Sequence, residues 1–108
     1  MVAARRFDVV LVDLEPTQGS EVRRTRPCLV ISPDELNEGL QTMIVAPMTT
    51  QTRAYPWRVQ VVIEGRAGRI ALDQIRTVDR ARAVRRLGHL DQRAEQAVLD
   101  TLAELFAP

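Results

Sequence analysis

Three arginines crowd one short stretch, Gly19-Ser20-Glu21-Val22-Arg23-Arg24-Thr25-Arg26-Pro27, which runs into the apolar segment Cys28-Leu29-Val30-Ile31. Proline biases the residue before it towards extended backbone, so Arg26 is expected to sit anchored at the end of a flexible basic loop, its guanidinium projecting outward. An arginine held this way suits the neutralisation of a phosphate passing through a pentacoordinate state, or proton donation to a leaving oxygen. The same three arginines equally suit a solvated loop. Thr49 closes another apolar segment. Its hydroxyl can donate to a phosphate oxygen or bond locally, as threonines at strand ends ordinarily do. Asp73 and Gln74 interrupt a third apolar pattern; the amide can read a base edge, or the pair simply faces water. Tyr55 and Trp57, flanked by Arg53 and Arg58, offer either a stacking platform beside positive charge or an element of core or interface.

The remaining inventory excludes several chemistries. With one His and one Cys, neither Cys–His catalysis nor a His- or Cys-rich metal cage has its residues, and no metal or other cofactor is expected. No glycine-rich phosphate loop opens a helix. His89, between Gly88 and the terminal helix, reads as a solvated junction residue with no orienting partner. The single cysteine precludes an intrachain disulfide and points to a cytoplasmic protein. No apolar run approaches the length of a membrane span, so no membrane association is expected.

These side chains need a scaffold of modest size. The chain has 108 residues, 45% of them hydrophobic, which fits one compact domain spanning residues 1–108. Fifteen basic residues, all arginine, against fourteen acidic ones give a net charge of +1; charge clustering therefore matters more than the total. Phe7 to Leu14 reads as a strand covered on both faces, since Val9 to Val12 is apolar throughout. Cys28 to Ile31 reads as a second strand, and Ser32-Pro33-Asp34-Glu35 as the capped start of a short helix. Met43 to Ala46 forms a third strand and Thr50 to Trp57 a loop. Arg58 to Ile63 alternates as a half-buried strand, with a turn at Glu64-Gly65. Gly68 to Val78 continues the sheet, with a bulge or bend near Asp73 to repair the alternation, and Val84 to Leu87 closes it. Asp91 caps a terminal helix whose stripe comprises Ala94, Ala97, Val98, Thr101, Leu102, Leu105 and Phe106. The pattern predicts a mainly β domain, a small curled barrel with one short helix after the second strand and an amphipathic helix at the C-terminus.

The ordered motifs carry a further signal. Asp8-Val9-Val10, Val12-Asp13-Leu14-Glu15-Pro16 and Gly19-Ser20-Glu21 lead to Arg26-Pro27-Cys28-Leu29-Val30-Ile31-Ser32. Val45-Ala46-Pro47-Met48-Thr49, Leu72-Asp73-Gln74-Ile75-Arg76-Thr77-Val78-Asp79 and Gly88-His89-Leu90 follow. In this order and spacing the chain resembles the MazF/PemK toxins of bacterial toxin–antitoxin systems, over roughly Phe7 to Phe106. The resemblance implies an SH3-like barrel, a homodimer, and metal-independent cleavage of single-stranded RNA at short sequences. It also implies an antitoxin partner whose acidic, initially disordered segment covers the RNA groove. The family's catalytic Arg and Thr fall on Arg26 and Thr49. RNA contacts are implied for Ser20, Glu21, Arg23, Arg24, Asp73 and Gln74, the acid–Gln pair being catalytic in some members. Two departures stand out. Phe7 occupies a position where many members have Gly. Ala71 replaces an Arg that some members use as a catalytic acid, which shifts the expected chemistry towards Arg26 with Thr49. The alternative is a CcdB-like poison that binds DNA gyrase; those toxins share the fold but end Trp-Gly-Ile, whereas this chain ends Leu-Phe-Ala-Pro. A non-catalytic RNA- or antitoxin-binding relic is opposed by the intact Arg26 and Thr49.

Overall fold

The computed structural model describes residues 2–15 and 24–108. Strands β1 (Asp8–Glu15) and β2 (Arg24–Val30) precede a short helix α1 (Asp34–Gly39). Strands β3 (Thr42–Thr49), β4 (Arg58–Ile63), β5 (Arg66–Ala71), β6 (Arg76–Asp79) and β7 (Ala83–His89) follow, and helix α2 (Gln92–Leu105) ends the chain. All pairings are antiparallel, in the order β4-β5-β3-β2-β1-β7, with β6 added to β3. The mainly β, curled architecture with a terminal helix matches the sequence-based expectation.

The continuous apolar character of β1 has the expected cause. Val10, Val12 and Leu14 point into one core with Cys28, Val30, Met43, Val45, Val78 and Ala83. Val9 points the other way, into a second core with Leu29, Ile31, Ala46, Val61, Ile70 and Val98. The sheet thus buries both faces, one by curling and the other beneath β4, β5 and α2. Asp91 caps α2 as expected, its carboxylate accepting from the Ala94 N–H at 2.8 Å. The apolar stripe ends earlier than predicted: α2 stops at Leu105, and Phe106 is 67% exposed. The Glu64-Gly65 turn is a tight hairpin with both residues left-handed, φ 51° and 74°, the conformation that matches strand twist.

Three local expectations are corrected. Strand β2 begins at Arg24, four residues before Cys28, so Arg26 lies within the strand and not at a loop end; pairing with β1 through Val12↔Arg26 extends it. Ser32 does not cap α1. Pro33 occupies the cap without a side-chain bond, while the buried Ser32 hydroxyl accepts from the Ile44 N–H at 2.9 Å and contacts Asn37. The predicted long strand Gly68–Val78 is two strands, and the break expected near Asp73 takes the form of a 3-10 turn over Leu72–Gln74. The turn lets β5 pair with the end of β3 and β6 with its beginning. Phe7 sits at φ 69°, a left-handed backbone that glycine adopts without cost. Its ring is nevertheless buried in the core, beneath the Arg6 guanidinium at 5.1 Å.

Candidate active site

The β2–β3 ladder runs Val30↔Val45, Leu29↔Ala46 and Cys28↔Pro47. Arg26 lies in β2 two residues before the last of these pairs, and Thr49 in β3 two residues after it. Residues two apart share a face of a strand and directly opposed residues share a face of the sheet. Arg26 and Thr49 therefore lie on the face that carries Cys28 and Pro47. Arg26 is exposed, whereas Thr49 is 9% exposed. The Thr49 Oγ1 accepts from the Gln51 backbone N–H at 3.2 Å, leaving the hydroxyl proton to donate to a bound group.

A second cation joins this face. Arg76 lies opposite Val45 across the β3–β6 ladder, and Val45 is opposite Val30. The convergence is visible at Cys28: burial pushes its thiol up to about 12, against the opposing pull of Arg26 and Arg76. Cys28 is therefore an inert core thiol, and the two guanidinium groups form a cationic rim above it. Sequence reasoning did not single out Arg76, because its neighbour across β3 is set by the 3-10 turn.

Asp73 and Gln74 occupy that turn, which packs against β3. Gln74 is exposed. Asp73 is engaged by Arg58, with Nε to Oδ1 and Nη2 to Oδ2 both at 3.3 Å. Tyr55 and Trp57 stack on each other with ring centroids 5.0 Å apart and planes 13° from parallel. The Arg53 and Arg58 guanidinium groups lie 5.1 and 5.0 Å from the Tyr55 centroid. The pair is thus a surface stack and not core. Arg69 donates to the carbonyls of Gln51 and Thr52, tying the loop to β5.

Ser20, Glu21 and Arg23 lie outside the described residues, and Arg24 enters only as the first residue of β2. Among the described residues, no three His, Cys, Asp or Glu side chains converge on a point where a metal ion could be held.

His89 departs from the sequence-based expectation. Its Nδ1 is 2.8 Å from Asp8 Oδ1 and its Nε2 is 3.0 Å from Glu95 Oε1. It is a bridge between β1, β7 and α2, not a solvated junction. The β1–β7 register makes Asp8 its direct neighbour, a pairing between residues 81 apart in sequence that no local pattern signals.

The comparisons with known proteins agree with this geometry. The family model described as PemK-like, MazF-like toxin of type II toxin–antitoxin system matches residues 5–106. The Endoribonuclease EndoA of Bacillus subtilis is 36% identical over 104 residues, covering 91% of this chain and 90% of that protein. The Endoribonuclease toxin MazF of Escherichia coli K12 is 35% identical over 82 residues, covering 75% of this chain and 74% of that protein. A crystal structure of MazE–MazF from Deinococcus radiodurans superposes with a TM-score of 0.82 at 26% identity, covering 97% of this chain and 96% of that one. With its curled sheet, its Arg26–Thr49 face and these relatives, the chain belongs to the PemK-like, MazF-like toxins of type II toxin–antitoxin systems.

Proposed function

We propose that this chain, an endoribonuclease toxin, cuts single-stranded RNA at short sequences by transesterification without a metal. The ribose 2′-hydroxyl attacks the adjacent phosphorus, the P–O5′ bond breaks, and the products are a 2′,3′-cyclic phosphate and a 5′-hydroxyl. Arg26 neutralises the charge that builds on the phosphate, and Thr49 donates to a non-bridging oxygen. The observation that supports this reading is the β2–β3 ladder: its last pair is Cys28↔Pro47, and Arg26 and Thr49 each lie two residues from it on the same face of the sheet. The substrate supplies its own nucleophile, so a chain with one His and one Cys suffices. Ser20, Glu21, Arg23, Arg24, Asp73 and Gln74 are assigned to RNA contacts. The gyrase-poison alternative draws no support from relatives named as endoribonucleases.

The test is Arg26→Ala, assayed on a long single-stranded RNA with the cut ends mapped. Loss of a transition-state donor lowers turnover by about a hundredfold or more, with the thermal midpoint unchanged. A turnover within a few-fold of the unaltered protein removes Arg26 from the chemistry.

Two partners follow from the same reading. A second copy of the chain covers exposed apolar side chains such as Val62 (64% exposed) and Val84 (47%); sedimentation showing a monomer at micromolar concentration contradicts this. An antitoxin segment rich in carboxylates binds the cationic rim, with an affinity that falls as salt rises. An antitoxin that leaves RNA binding untouched contradicts that placement.

A further inference from the structure

Arg58 opens β4, yet its side chain is only 9% exposed. Arginine is almost never so covered unless it is paired. Two of its nitrogens grip Asp73, and Nη1 donates to Gln51 Oε1 at 3.3 Å. The Tyr55 ring lies beside the same guanidinium. These partners come from separate places: the loop leaving β3, and the 3-10 turn between β5 and β6. Gln51 also donates its backbone N–H to the Thr49 hydroxyl. One planar group thus joins the segment leaving Thr49, the aromatic stack and the Asp73–Gln74 turn. A two-pronged arginine–carboxylate pair fixes angle as well as distance, which a lysine does not.

We propose that Arg58 is the positioning residue that holds the Thr50–Trp57 loop and the Asp73–Gln74 turn as one recognition surface, and so sets which RNA sequences are cut. Asp73 then fixes the turn through Arg58 in addition to its RNA contact, and the exposed Gln74 beside it meets a base edge. This inference rests on the endoribonuclease reading of the Arg26–Thr49 face but makes a separate claim about it.

The experiment compares the unaltered protein with Arg58→Met, Arg58→Lys, Asp73→Asn and the Arg58→Met/Asp73→Asn double variant. Cuts are mapped along a long single-stranded RNA, and kcat and KM are measured on a short oligonucleotide carrying the preferred sequence. Arg58→Met and Asp73→Asn are each expected to cut additional sequences and to lower kcat/KM tenfold or more, chiefly through KM. The double variant should be no worse than the worse single one, because both changes break the same unit. Arg58→Lys should fall between, keeping the charge without the fork. The cut pattern is a ratio among sites, so it is insensitive to the fraction of protein folded. An unaltered protein that cuts nothing overturns the nuclease reading and this inference with it. Normal cutting by the unaltered protein, with the same pattern in Arg58→Met or with single-variant losses that multiply in the double variant, overturns the role of Arg58 alone.

Discussion

Replacing Asp8 with Asn tests how the end of β1 is held. Asp8 is 2% exposed, and its Oδ1 accepts from His89 Nδ1 at 2.8 Å and from Arg86 Nε at 3.2 Å. Its Oδ2 accepts from the Arg5 backbone N–H at 2.9 Å. Burial pushes the carboxyl up, but the bonds from His89, the Arg5 N–H and Arg86 outweigh it and hold the group below its ordinary value. Asn keeps the shape and one acceptor oxygen while removing the charge. Each hydrogen bond to a charged group contributes about 1.5–3 kcal/mol. The His89 and Arg86 side chains are 40% and 52% exposed, so water screens and partly replaces their contributions. The expected loss is about 2 kcal/mol at pH 7. With a urea slope of about 1–1.5 kcal/mol per molar, the midpoint falls by about 1–2 M. The sign with pH follows from the lowered value in the folded state. The stabilisation is complete above the unfolded-state value and is lost as pH falls through the folded one. Urea unfolding of both proteins at pH 7 and in strong acid should show a gap at neutrality that closes on acidification. Equal midpoints at pH 7, or a gap that widens in acid, would refute the reasoning.

Gly68→Ala should destabilise and also slow cleavage. A Cβ there meets the Met48 side chain, whose methyl end can swing aside, and the Thr49 backbone carbonyl at 3.1 Å; this overpacking costs about 1 kcal/mol, read from the thermal midpoint, and any shift of Thr49 appears in kcat. Asp91→Ala removes the bond to the Ala94 N–H and should lower stability by about 1 kcal/mol, with kcat unchanged in an RNA cleavage assay.

Much of the architecture was legible because periodicity reports burial directly. The unbroken apolar run of β1 and the stripe of α2 each state how many faces are covered, and the two cores use the run as read and the stripe as far as Leu102. The Asp91 cap and the Glu64-Gly65 turn were legible because each depends on residues close in sequence. What was missed depends on pairing between distant segments. Arg26 joins β2 because β1 extends alongside it, and Gly68–Val78 breaks because β3 offers two different stretches to pair with. Ser32 forgoes its cap because a buried hydroxyl finds stronger partners in Asn37 and Ile44. At the site, Arg26 and Thr49 were nameable from their types and motifs, but their sharing one face of the sheet follows from the β2–β3 register at Cys28↔Pro47. Arg76, the Arg58–Asp73 pair and the His89 bridge all join elements far apart in the chain, and their local sequences carry no mark of it.

The central claim is that the RNA supplies its own nucleophile, with Arg26 and Thr49 stabilising the phosphate. A preferred oligonucleotide in which only the nucleotide 5′ of the cut carries a 2′-deoxy sugar tests this most directly. It retains the phosphate contacts and so most of the binding. This oligonucleotide should bind but not be cut, and the all-ribose version should yield a 2′,3′-cyclic phosphate at an unchanged rate in excess chelator. Cleavage of the deoxy oligonucleotide, or loss of cleavage of the all-ribose one in chelator, would contradict the claim.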